Sequence, residues 1–294
     1  MPLKNTQKAT IALFLIAVIW GGTFPLIRNA LHDIDASTFV VIRFTLSALF
    51  FLPFILFRKH RNHSKTLACG VVLGLFNGVA YFSQTVGLHY ISSSESAFVT
   101  STSVILIPLL MPLWRMQKPN PFEWIGAIIC VGGIYFLTGG RVHEVSWAYG
   151  LTFLAALFTA LAILFIQKIS HLVDTKLLVF YQMLFTLILP LLFFHHQEMR
   201  EIHWSGSLIM ALLYCSIIST CVTLFLQAHY QRYTTATKTG IIFTLEPVFA
   251  TLFAYYFNNE SLSSAIMIGG ALIISSLLVS EYGTHLHERS SKRA

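Results

Sequence analysis

The sequence predicts an all-α integral membrane protein of ten transmembrane helices, arranged as two inverted five-helix repeats. Three observations point there: a composition that is 55% hydrophobic and only 11% charged, with a mean hydropathy of +0.70; ten separate apolar windows; and a weak self-similarity at a fixed offset along the chain. A bilayer core of about 30 Å takes about 20 apolar residues per crossing helix, so ten crossings use about 200 residues and leave only short connections. No room remains in 294 residues for a sizeable catalytic domain outside the membrane.

The apolar windows fall at about 9–31, 37–57, 66–88, 94–114, 121–139, 147–168, 176–194, 205–229, 239–257 and 263–282. Runs such as Ile11 to Ile19 are continuously apolar, whereas a membrane barrel needs alternation of apolar and polar residues, so helices are expected. The first window follows Lys4 and Lys8 in the manner of a signal peptide, but it is too long and lacks a small-residue cleavage site; it is read as a retained helix.

Charge placement tests the helix count, because Lys and Arg in short loops collect on the cytoplasmic side. One set of ends holds Lys4, Lys8, Arg58, Lys59, Arg61, Lys65, Arg115, Lys118, Lys168, Lys176, Arg232, Lys238, Arg289, Lys292 and Arg293. The other holds Arg28, Arg141 and Arg200, together with Asp33, Asp35, Glu95, Glu144, Glu198, Glu201 and Glu260. Fifteen cations against three place both termini in the cytoplasm, and the +7 net charge becomes a topological signal instead of a nucleic-acid footprint.

Sliding the chain against itself by 143 residues pairs Asn77 with Thr220, Gln84 with Gln227, Tyr90 with Tyr233, Ser101 with Thr244 and Gly126 with Gly269. The repeats are then residues 1–143 and 144–294, the second ending in a short basic tail. Five helices per repeat is an odd number, so the second repeat enters the membrane upside down relative to the first. Two such halves can build a central site that opens to one face and then the other.

Ionisable groups inside the spans are the sharpest functional signals, since each is costly in hydrocarbon unless it meets a cavity or a partner. Two lie deep: Arg43 in the second span and Glu246 in the ninth, near the midplane. Pro247 removes a backbone donor beside Glu246 and favours irregular backbone there. A carboxylate at that depth holds a substrate amine, cycles a proton, or ties broken helix ends together, and all three readings stay open. Arg43 binds a substrate carboxylate or anchors helix ends or a lipid headgroup.

Asn77, Tyr81 and Gln84 on the third span and Thr220, Thr223, Gln227 and Tyr230 on the eighth form polar stripes at helical spacing that face inward, lining a pathway or acting as interhelical glue. Thr100 and Ser103 in the fourth span and Tyr181 and Gln182 in the seventh add polar groups at cavity depth, with Ser103 at the position equivalent to Glu246. Trp20, followed by Gly21, Gly22 and Pro25, reads as a gate beside flexible backbone or as an interfacial aromatic. Gly70, Gly74 and Gly78 make a small-residue face suited to close helix packing.

The chain resembles the drug/metabolite transporter superfamily, and within it the EamA-type permeases, on an ordered set of motifs. Trp20-Gly21-Gly22-Thr23-Phe24-Pro25 is similar to the family's first-helix signature, Arg43-Phe44 to its second-helix pair, and Ser96-Ala97-Phe98-Val99-Thr100-Ser101 to its fourth-helix entry. In the second half Leu245-Glu246-Pro247-Val248-Phe249 and Asn259-Glu260 precede a Gly-rich last helix; Gln117-Lys118 departs from the family's usual Gly-Glu. The resemblance implies a ten-helix inverted-repeat carrier of small metabolites, often exported, in a bacterial inner membrane.

No phosphate-binding loop, paired dinucleotide fingerprint or His-Glu-x-x-His motif occurs, so the expected mechanism is gradient-driven or draws on another subunit, with no cofactor and a proton as the candidate coupling ion. Cys69, Cys130, Cys215 and Cys221 lie in spans without metal-ligand spacing, and no metal is expected; His32 with Asp33 and Asp35 is the nearest approach to a cluster. The expected partners are a small-molecule substrate, amino acids being the leading class, and membrane lipid, with no nucleic acid. Two other classes are weighed: a membrane-embedded enzyme acting on a lipid-linked substrate through Asp33, Asp35, Glu95 and Glu144, and a non-transporting membrane subunit.

Overall fold

A computed structural model describes residues 5–56, 63–114, 121–137, 146–195, 199 and 201–291, and no β-strand occurs among them. Among the described residues eight helices are long and apolar enough to cross a membrane: α1 Asn5–Ala30, α2 Ala36–Leu56, α3 His63–Tyr90, α4 Ser93–Trp114, α6 Trp147–Ile169, α7 Thr175–Leu192, α8 Gly206–Tyr233 and α9 Ala236–Asn258. Two further helices, α5 Pro121–Leu137 and α10 Ser264–Ser291, contain the shorter apolar stretches Trp124–Gly133 and Ser264–Ser276. The expected ten crossings are thus met by eight helices of full spanning length. Lys4, Arg58, Lys59, Arg61, Arg115, Gln117, Lys118, Arg141, Glu144, His196, Glu198, Arg200, Lys292 and Arg293 lie outside the described residues.

Helix starts follow from capping residues that satisfy otherwise orphaned N–H groups. Asp35 accepts from Thr38 at the head of α2, Asp174 from Leu177 at α7, Ser205 from Leu208 at α8 and Thr235 from Lys238 at α9. Ser92 and Glu95 form a reciprocal capping box at the head of α4.

Two helices break in mid-span for a shared reason. In α4 the helical segments Ser93–Ser101 and Ser103–Leu110 meet at Thr102, and in α9 Ala236–Phe243 and Glu246–Asn258 meet at Thr244 and Leu245. Hydroxyls at the breaks bond back three residues, Thr102 Oγ1 to the Val99 carbonyl and Thr244 Oγ1 to that of Ile241, which tightens the turn. Pro247 offers no N–H to Phe243, so the helix restarts there.

The middle of α8, Tyr214–Val222, is a π-helix, a widened turn uncommon outside functional segments. Its side chains and neighbours absorb the displaced carbonyls: Thr220 Oγ1 donates to Cys215, Ser47 of α2 to Ser216, and Trp20 Nε1 and Thr223 Oγ1 both to Ser219.

Helix α3 packs against α6 and α7, α1 against α8 and α9, α2 against α8, α4 against α6 and α9, and α5 against α10. The largest buried cluster joins α1, α2, α3, α7 and α8 around Phe24, Phe39, Phe44 and Leu73. The Gly face of α3 makes the α3–α7 contact possible. A Cβ at Gly70 would lie 2.3 Å from Cβ of Tyr181, and one at Gly74 2.5 Å from Cβ of Phe185 and 2.9 Å from the Gln182 carbonyl oxygen. Because the Gly74 obstacle includes backbone, Gly74→Val is expected to lower stability by about 1–3 kcal/mol. A fall in the thermal midpoint of the purified protein, with Gly132→Ala unchanged because nothing lies within 4 Å of that site, checks this.

At one end of the bundle, Arg28 of α1 pairs with Glu260 at 3.4 Å, and Glu260 also accepts from the Ser93 and Ser94 N–H groups at the head of α4. Asn29 Nδ2 donates to Asn258 Oδ1 at 2.8 Å at the same end. At the opposite end, Gln231 Nε2 donates to the Ile163 carbonyl at 2.7 Å and Gln167 Nε2 to that of Thr234 at 3.1 Å. Hydrogen bonds therefore close the bundle on both sides of its centre.

Candidate functional site

Between those two closures lies a cavity of about 50 Å³, walled by Trp20 and Thr23 of α1, Arg43 of α2, Asn77, Ala80, Tyr81 and Gln84 of α3, Thr100 of α4, Thr159, Ala162 and Ile163 of α6, Leu224 and Gln227 of α8 and Glu246 of α9. That volume is room for one or two waters, well below the 300 Å³ or more of a typical ligand pocket. A metabolite fits only if the helices part.

Arg43 is 2% exposed and is held by neutral groups. Its Nε donates to Thr220 Oγ1 at 2.9 Å and one terminal nitrogen to Ser219 Oγ at 3.3 Å, both on the π-helical turn of α8. Its guanidinium carbon stands 4.8 Å from the Tyr81 ring centre and 5.5 Å from that of Phe44. The π-turn explains these contacts, because its extra residue per turn rotates Ser219 and Thr220 toward α2 while the following turn continues toward the cavity.

Glu246 heads the second segment of α9, where the break lets its carboxylate face the cavity. Among the described residues no hydrogen-bond donor or cation within bonding distance meets it, and Arg43, which shares the cavity, directs its hydrogen bonds elsewhere. Trp20 donates through Nε1 to Thr223 Oγ1 at 3.0 Å, and its ring lies tilted against Phe243, 5.1 Å between centres, at the break in α9. Gln84 Nε2 donates to Thr100 Oγ1 at 3.1 Å, tying α3 to α4 across the wall.

Of the residues singled out in the sequence, Trp20, Arg43, Asn77, Tyr81, Gln84, Thr100, Gln227 and Glu246 meet at this cavity. Six do not line it. Thr220 and Thr223 lie behind the wall as partners of Arg43 and Trp20. Gln182 is buried, accepting from Asn77 Nδ2 at 3.4 Å, and its own Nε2 has no partner among the described residues. Ser103 is buried just past the α4 break. Tyr181 bonds His63 Nε2 at 3.0 Å at the end of α3, and Tyr230 packs on His229, 4.8 Å between ring centres. Thr23, Ala80, Thr159, Ala162, Ile163 and Leu224 are wall residues that the sequence reading omits. Thr159 is a hydroxyl in the apolar run of α6, as is Thr152, which does not line the cavity.

The acidic residues weighed for interfacial chemistry have structural duties. Asp33 accepts from Ser205 Oγ and approaches His203 Nδ1 at 3.2 Å; the Ser205 hydrogen bond, seconded by His203, holds the Asp33 carboxyl below the usual carboxylate range. Glu95 serves the α4 capping box and accepts from Tyr149 at 2.7 Å. Among the described residues no group of three or more His, Cys, Asp or Glu is arranged to hold a metal, and all four cysteines are free.

A bundle of membrane-length helices around a small polar cavity, with broken and π-helical spans at its wall, defines a polytopic membrane protein built to handle a solute. The chain belongs to the EamA-like transporter family, which it matches over residues 7–139 and again over 146–282. It is similar to an uncharacterized transporter of Archaeoglobus fulgidus, 30% identical over 92% of this chain and 85% of that one. It is likewise similar to the uncharacterized transporter YoaV of Bacillus subtilis, 21% identical over 94% and 97%, and over 47% of its length to the uncharacterized inner membrane transporter YedA of Escherichia coli, 27% identical over 50% of that protein. A solved crystal structure superposes with a TM-score of 0.67 at 19% identity, covering 93% of this chain and 97% of the other, which supports the fold. The protein is an integral membrane transporter.

Proposed function

We propose that this transporter is a secondary carrier that exports small amphipathic metabolites such as amino acids by alternating access, with two inverted five-helix halves rocking about the central cavity and Glu246 coupling movement to a proton. The observation that carries the reading is a central cavity whose wall bears a carboxylate, Glu246, without a partner among the described residues, and a buried guanidinium, Arg43, held by neutral groups. A half-buried carboxylate at membrane depth is favoured by a proton or a cationic group beside it. A zwitterion supplies an ammonium to Glu246 and a carboxylate to Arg43, while Trp20 and Tyr81 offer apolar surface to the rest.

The inverted repeat draws support from an offset of 143 residues, which carries Ser93, the first residue of α4, onto Ala236, the first residue of α9. The same offset carries Ser103, where α4 restarts after its break, onto Glu246, where α9 restarts. Packing follows suit: exchanging the halves turns α1–α9 into α6–α4 and α2–α8 into α7–α3, and leaves α4–α9 and α5–α10 unchanged. Rocking one half against the other breaks the contacts that join them, of which Arg28–Glu260 closes one end of the bundle. The excess of basic residues on one set of helix ends puts both termini in the cytoplasm.

Counterflow in proteoliposomes tests the proposal. Vesicles preloaded with a mixture of unlabelled amino acids and given labelled ones outside are expected to show transient, saturable uptake that protein-free vesicles lack. Absence of counterflow with folded protein would exclude amino acids as substrates.

A further inference from the structure

Apart from the central cavity, the bundle carries a pocket of about 280 Å³ on its flank, where the end of α2 diverges from α8. Phe50, Phe51 and Phe54 of α2 and Val222 and Phe225 of α8 form its walls, and its one charged group is Lys176, in the first turn of α7. Phe50 and Phe54 are about half exposed on the outer surface of the bundle, so in a membrane this flank meets hydrocarbon. An aromatic slot closed by a single cation matches an acyl chain joined to an anionic headgroup. A soluble metabolite would gain nothing from the slot, and a folded partner could not enter it.

The neighbouring residue sets the sign of the headgroup. Thr175 accepts a hydrogen bond from Arg232, and it borders a recess of about 530 Å³ lined also by Lys65, His171 and Asp174. Asp174 is committed to capping α7, where it accepts from Leu177 N at 3.1 Å. With Lys65 and Arg232 on one side of the first turn of α7 and Lys176 on the other, the local field favours a net negative headgroup over a zwitterionic one.

We infer that the groove between α2 and α8 is a binding site for one anionic phospholipid, its acyl chain laid along Phe50, Phe54, Val222 and Phe225 and its phosphate at Lys176. The floor of the groove gives the site a consequence. Cys221 lines it and donates through Sγ to the Ser47 carbonyl at 3.3 Å, directly beside the π-turn whose Ser219 and Thr220 hold Arg43. A lipid seated there braces the α2–α8 contact that sets the cavity wall.

Native mass spectrometry of the purified full-length protein, titrated with phosphatidylglycerol or phosphatidylcholine micelles of matched chain length, tests the site. One phosphatidylglycerol is expected to bind at least about fivefold more tightly than phosphatidylcholine, a preference that Lys176→Glu removes. Val222→Trp fills the slot from its lipid-facing rim while leaving Lys176 in place, and is expected to weaken phosphatidylglycerol binding by a comparable factor. Retention of phosphatidylglycerol by either variant, each shown to be folded by an unchanged elution volume, would overturn the site, since head and chain must both be required. Equal binding of the two lipids to the unmodified protein would overturn it as well.

Discussion

Arg43→Met is expected to reduce transport by about 30-fold or more while leaving the thermal midpoint unchanged or slightly raised. The two halves of that expectation have separate physical origins. A guanidinium buried to 2% exposure and met only by two hydroxyls and two aromatic rings pays a desolvation cost of several kcal/mol, and neutral partners return only part of it. Thr220 keeps an acceptor of its own, the Cys215 carbonyl, so removing the guanidinium does not strand its hydroxyl donor. Methionine fills much of the same volume and is content there. A residue whose removal costs little stability yet sits at the cavity wall has its justification in the solute. Arg43→Lys keeps the charge but loses the fork that reaches Thr220 and Ser219 together, so it should retain folding and recover only part of the transport. Thermal midpoints and counterflow rates on the same preparations decide the matter. A large drop in midpoint for Arg43→Met, with transport falling only in proportion to folded protein, would make Arg43 a structural anchor.

Much of the fold was legible because membrane helices announce themselves by length and apolarity, and because capping residues such as Ser92, Asp174 and Ser205 stand where the windows begin. The pair α5 and α10 packs closely where a Cβ at Gly133 would lie 3.0 Å from the Gly269 carbonyl oxygen and 2.7 Å from Ile273. In the site, Asn77, Tyr81 and Gln84 were readable because α3 is a regular helix, and a polar stripe at a spacing of three and four residues stays on one face. The stripe on α8 misled for the converse reason. Its spacing assumes 3.6 residues per turn, whereas the π-turn over Tyr214–Val222 swings Thr220 behind the wall toward Arg43 and leaves Gln227 alone facing the cavity. Nothing in local composition announces a π-turn. Thr159 and Ile163 on α6 went unread because they sit in an apolar run whose inward face is defined only by what packs against it.

The second large effect concerns coupling. If one proton moves with each substrate through Glu246, a gradient of one pH unit supports about a tenfold substrate concentration ratio across the vesicle membrane, because each unit is worth about 1.4 kcal/mol per proton. Glu246→Gln is nearly isosteric and keeps the polar contact with the cavity, so folding and the α9 break, which Thr244 and Pro247 enforce, should persist. It removes the only group at the cavity wall that can cycle between a charged and a neutral form at a carboxylate, and so the imposed gradient should leave the substrate ratio near one. Exchange without a gradient should continue, at a rate reduced if Glu246 also receives a substrate ammonium, and unaffected if it handles the proton alone. Comparing the two assays therefore separates the roles that the sequence left open. Wild-type behaviour in both assays would assign Glu246 to holding the broken ends of α9, and the search for the coupling group would move to Tyr81 and the hydroxyls that surround it. A gradient-driven ratio that falls to one while exchange persists would fix the proton pathway at the break in α9, where the carboxylate changes face as the two ends of the bundle open in turn.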